Sequence, residues 1–82
     1  MRVDKFSKEL KTFVEDAMSL EVDQSVSYEI DNTHYTVAVT ADEEGFNCEL
    51  LYSASGVDDL QECAFVSRNE IPTAIEYLIN CI

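Results

Sequence analysis

Glycine occurs twice and proline once in 82 residues, tryptophan is missing, and His34 is the sole imidazole. Two glycines leave no material for a phosphate-cradling loop, and the sequence contains no G-x-G-x-x-G, P-loop, H-E-x-x-H or G-x-S-x-G pattern. Nucleophilic catalysis of the Ser-His or Cys-His kind needs an imidazole placed beside the nucleophile, and the single His34 falls in a turn, where a solvated ring is expected. No stretch of about 18 apolar residues is present, which excludes a spanning helix. The first eight residues are threaded with charge and lack the apolar h-region of a secretory signal, so the chain reads as cytoplasmic.

Cysteine is scarce and unpaired. Cys48, Cys63 and Cys81 are odd in number and form no C-x-x-C, which fits neither a disulfide framework nor a zinc site. Each sits in an apolar-patterned stretch and reads as a packed thiol. The acidic groups Asp42-Glu43-Glu44 and Asp58-Asp59 lack the alternating oxygen ligands of a calcium loop. With no acid, base and orienting group that can be assembled into one constellation, the chain reads as non-catalytic and as needing no cofactor or metal.

The scarcest feature is positive charge. Five bases face seventeen acids, a net charge of −12, and four of the five bases, Arg2, Lys5, Lys8 and Lys11, lie in the first eleven residues. Beyond them fifteen acids are opposed by Arg68 alone. Such a surface repels nucleic acid and anionic lipid and attracts basic partners. The partner expected is therefore another protein with a basic or apolar contact surface, with neither direct nucleic-acid binding nor membrane binding. A homodimer is a further expectation, because a domain of this size buries only about 60–65% of its unfolded surface.

What is present is a clean change of period. Val3, Phe6, Leu10, Phe13, Ala17 and Leu20 recur at spacings of three and four, which predicts an amphipathic helix of about five turns. From Val22 the period becomes two: Val26, Tyr28 and Ile30, then Tyr35, Val37 and Val39 across the turn Asp31-Asn32-Thr33. Asp42-Glu43-Glu44-Gly45 supplies the next turn, with Gly45 free to take a positive φ. A third strand follows, with Phe46, Cys48, Leu50 and Tyr52 on one face and Asn47, Glu49, Leu51 and Ser53 on the other.

Residues 53–59 read as a loop or short helical turn, and Gln61 to Val66 as a fourth, edge strand. Ile71, Ala74, Ile75, Leu78, Ile79 and Ile82 form a wide apolar face that predicts a final helix, with Asn69 as its cap and Pro72 in its first turn. The fold class is α+β over a single domain, residues 1–82: an N-terminal helix, a three- to four-stranded antiparallel meander, and a C-terminal helix, in the order α-β-β-β-(β)-α. Phe6, Leu10, Phe13, Val37, Leu50, Ile75 and Leu78 are expected to share one core.

The stretch Val26-Ser27-Tyr28-Glu29-Ile30-Asp31, then Tyr35-Thr36-Val37-Ala38-Val39, an acidic turn, and Glu49-Leu50-Leu51-Tyr52-Ser53-Ala54-Ser55-Gly56, preceded by an amphipathic helix, resembles the front half of the class I type III secretion chaperones. The likeness covers about two-thirds of the chain. It implies an acidic cytoplasmic dimer that holds an extended segment of another protein against apolar patches, without catalysis.

Two functional expectations follow. The first is a chaperone-like protein-binding module, for which Leu51 is the one residue that breaks the polar pattern of its sheet face. The second is an acidic inhibitor, a nucleic-acid mimic of phage or mobile-element type, that blocks a basic nucleic-acid-binding enzyme. Its carboxylates would be Glu29, Asp31, Asp42, Glu43, Glu44, Glu49, Asp58 and Asp59, with Glu62 beside them.

Overall fold

A computed structural model describes residues 8–82. Its first element is helix α1, Lys8–Met18, which buries Leu10, Phe13, Val14 and Ala17 along one stripe. Val3 and Phe6, the first members of the predicted stripe, lie outside the described residues. Four strands follow: β1 Ser25–Glu29, β2 Tyr35–Ala41, β3 Phe46–Ala54 and β4 Val57–Val66. A single 3-10 turn, Arg68–Glu70, then leads into helix α2, Ile71–Asn80.

The strands form one antiparallel sheet in the order β1-β2-β3-β4, so chain neighbours are sheet neighbours and β1 and β4 are its edges. Both helices pack on the same side: α1 over β1, and α2 over β2, β3 and β4. Val37, Val39, Cys48 and Leu50 from the sheet meet Leu10, Phe13 and Ala17 of α1 and Ile71, Ile75, Leu78 and Ile79 of α2 in a single buried cluster. The expected core residues from Leu10 onward are all in it.

The connections correct two sequence expectations. Residues 53–59 are not a loop: Ala54 pairs with Val57 across a two-residue turn in which Ser55 (φ 55°) and Gly56 (φ 79°) are both left-handed. That geometry matches the right-handed twist of a hairpin and tolerates glycine best, so β3 runs straight into a ten-residue β4. Gly45, by contrast, is not among the positive-φ residues. Its side chain is absent for reasons of space, because a Cβ there would lie 2.8 Å from Phe65 Cε2 and 2.9 Å from the Val66 carbonyl oxygen.

Nor does Asn69 cap the final helix. Ser67 precedes the 3-10 turn, and the Glu70 carboxylate accepts both its N–H (3.1 Å) and its hydroxyl (2.9 Å). These bonds, the backbone one foremost, hold the Glu70 pKa below the usual carboxylate range. Pro72 falls in the first turn of α2, where its missing N–H has no acceptor to lose.

The C-terminal end of α1 is finished from a distance. No basic residue occupies its last turn, yet Arg68 donates to the carbonyl of Met18 and, at 3.3 Å, to that of Leu20. The same guanidinium lies 5.0 Å from the centroid of the Phe46 ring. The one base of the acidic region thus locks α1 to the start of α2.

Candidate functional site

With both helices on one side, the other face of the sheet is covered by no element among the described residues. Residues opposite one another in an antiparallel register share a face, which makes the composition of the bare face readable strand by strand. From β1 it takes Ser25, Ser27 and Glu29; from β2, Thr36, Ala38 and Thr40; from β3, Asn47, Glu49 and Leu51. Phe65 and Cys63 of β4 pair with Asn47 and Glu49 and complete it.

Leu60 joins this face because of an irregularity. Leu50 is opposite Glu62 and Leu51 is opposite Leu60, so Gln61 is an extra residue at a bulge in β4. In unbroken alternation Leu60 would turn toward the helices, since a strand switches face at every residue. The bulge instead sets Leu60 directly across from Leu51. Leu60 is 53% exposed and Phe65 55%, while Leu51 is half-buried between Thr36 and Leu60. The β1 half of the face is polar and the β4 half is apolar.

The outer edge beside this patch is already blunted. Glu62, on the helical side opposite Leu50, accepts the Cys63 N–H through Oε1 at 3.0 Å and the Tyr77 hydroxyl through Oε2 at 2.9 Å. The Gln61 side chain donates to the Asp59 carbonyl at 3.3 Å. The hydrogen bond to Glu62, with the charge of that carboxylate and a smaller effect of Cys81, pushes the Tyr77 pKa up to about 12.

The acids picked out from the sequence are dispersed rather than gathered. Glu29 and Asp31 rim a small hollow of about 270 Å³ at the β1–β2 turn, together with His34 and Ser53. Asp58 accepts the Ser53 hydroxyl, and Asp59 is its neighbour at the same end of the sheet. Asp42, Glu43 and Glu44 occupy the β2–β3 turn at the opposite end, around a hollow of about 290 Å³ shared with Phe46 and Arg68. Strand β2 lies between the two groups, seven residues or roughly 23 Å. Glu49 stands between them, half-buried on the bare face opposite Ala38 and Cys63.

Of the residues expected from the sequence, Leu51 and Glu49 thus sit within the patch, Leu51 being the apolar one, and none of the described loops covers it. Leu60, Cys63 and Phe65 were missed, since the period of residues 60–66 is broken by the bulge. Four-residue windows around Cys63-Ala64-Phe65-Val66 carried no usable alternation.

The remaining reactive groups lie apart. His34 is exposed, with its ring 5.8 Å from that of Tyr52 in an edge-on arrangement. Burial pushes the Cys48 thiol up to about 11, so it stays protonated in the core, whereas Cys63 and Cys81 are exposed. Among the described residues no group of three His, Cys, Asp or Glu could hold a metal ion, and no helix is long and apolar enough to cross a membrane. No family model matches the chain, and no curated protein or solved structure does.

Proposed function

We propose that this chain is a non-catalytic, cytoplasmic protein-binding module that holds a partner polypeptide on the bare face of its sheet, in a chaperone-like way. The observation that carries this reading is the pairing of Leu51 with Leu60, and the exposure of Phe65 farther along β4, on one face that the described residues of a strongly acidic domain leave uncovered. Scattered single apolar residues are ordinary on a surface, but three on one half of a sheet face form a patch of the kind that partners cover. A small core calls for a dimer or a bound partner. The partner is favoured, because a second copy would bring another −12 of charge against the same surface.

The alternative is an acidic inhibitor that presents carboxylates in place of phosphates. The observation in its favour is that Arg68 turns its donors to the α1 carbonyls, leaving the exposed Asp42-Glu43-Glu44 turn strongly negative. A photo-crosslinking residue placed at position 60, 27 or 43 in the native host separates the readings. Capture of one partner from position 60 and not from 27 or 43 supports the module. Capture from 43 alone supports the inhibitor and overturns it.

A further inference from the structure

We propose that the occupant of the bare face is a basic amphipathic helix of the partner protein, two to three turns long, lying over β3 and β4. This rests on the reading of the chain as a protein-binding module and names the chemistry of what it binds.

Three dimensions of the patch select a helix. Leu60 and Phe65 stand opposite Leu51 and Asn47, four residues apart on β3, or about 13 Å at roughly 3.3 Å per residue, and two and a half helical turns also span about 13 Å. The apolar surface is confined to the β3–β4 half, while Ser25 and Ser27 keep the β1 half polar. A second sheet would cover both halves, whereas a helix about 10 Å across covers two strand spacings of about 4.8 Å. The apolar side chains also project from the face and not along the edge, which is where an amphipathic stripe docks.

Charge selects its flanks. Glu49 lies inside the patch and Asp58 at one end of it, on a chain of net charge −12. Lys or Arg beside the apolar stripe of the helix would meet both. An added strand is the less suited occupant. The bulge breaks the edge of β4, its Cys63 N–H is already taken by Glu62, and Asp58, Asp59 and Glu62 charge it.

The test uses the full chain, ¹⁵N-labelled, and two synthetic peptides of identical Leu and Lys composition. One repeats leucine at i, i+3, i+4 and i+7, and the other alternates Leu and Lys. The helical pattern is expected to shift the amides of Ala38, Glu49, Leu51, Leu60 and Phe65. Leu60→Gln should weaken it at least ~10-fold, the effect of losing one large apolar contact, and Val22→Gln, at an exposed residue off the patch, should leave it unchanged.

Tighter binding of the alternating peptide along β4 overturns the helix, as do shifts that centre on Asp42–Glu44 or ignore Leu60→Gln. Patch amides that move with protein concentration alone would assign the face to a second copy and overturn it too. If the helical peptide fails while crosslinking from position 60 still captures a partner, the module stands and only its occupant is wrong.

Discussion

Arg68 lies over the ring of Phe46, its guanidinium carbon 5.0 Å from the ring centroid, while its nitrogens donate to the carbonyls of Met18 and Leu20. Charged hydrogen bonds and a cation–π contact each contribute on the order of 1 kcal/mol or more. Arg68→Ala is therefore expected to cost about 1–3 kcal/mol in urea unfolding. Arg68→Lys should recover less than half of it, because an ammonium cannot stack on the ring and span two acceptors at once. Equal stability of Arg68→Ala and wild type would show that the end of α1 needs no such lock.

Leu10 and Leu78 are buried from opposite helices in one cluster. Truncating either to Ala should cost about 2–5 kcal/mol, which threatens a domain this small. A loss under about 0.5 kcal/mol at both positions, read by chemical denaturation, would contradict the core described above.

The Gly45 site makes a sharper test. A methyl group there meets Phe65 Cε2 at 2.8 Å and the Val66 carbonyl oxygen at 2.9 Å. Gly45→Ala should cost about 1–3 kcal/mol through overpacking. Adding Phe65→Ala should restore only part of that, since the ring can leave but the carbonyl, fixed in the β3–β4 pairing, cannot. Complete rescue would assign the whole clash to the ring.

Protonation gives two measurable signatures. The Tyr77 hydroxyl donates to Glu62 and its pKa is raised to about 12. A raised folded value means that its contribution to stability is complete below the ordinary tyrosine pKa near 10 and is lost as pH climbs toward about 12. Subtracting the phenolate absorbance titration of Tyr77→Phe from that of wild type should isolate a midpoint near pH 12. A difference curve centred near pH 10 would contradict the Glu62 bond. At pH 8, a thiol alkylating agent should modify Cys63 and Cys81 in the native chain and spare Cys48 until it unfolds, a pattern that mass spectrometry reads directly.

Once a partner has been captured, the acidic turn separates the two functional readings. Asp42, Glu43 and Glu44 are exposed, so changing all three to their amides should leave the unfolding curve within about 0.5 kcal/mol of wild type. For a partner held on the apolar face, the triple change should lower the association rate modestly and leave dissociation nearly unchanged. A loss of affinity of several kcal/mol, with a flattened salt dependence, would move the site to the turn and favour the inhibitor.

The sequence by itself determined the elements whose apolar residues keep one period over many positions. Val26, Tyr28, Val37, Val39, Cys48 and Leu50 alternate without a break, and the period of α2 from Ile71 to Ile79 is equally regular, so their buried faces follow from burial alone. The tertiary structure decided what those periods do not encode.

The bulge at Gln61 depends on pairing with β3, and it alone carries Leu60 from the helical side to a place opposite Leu51. In the sequence Arg68 is only the lone base of an acidic stretch, and folding alone brings the Met18 carbonyl at the end of α1, 50 residues earlier, against it. Local sequence sets the period of a strand, but registers, bulges and long-range caps are settled only where two segments distant in the chain must satisfy each other's backbone and fill the same space.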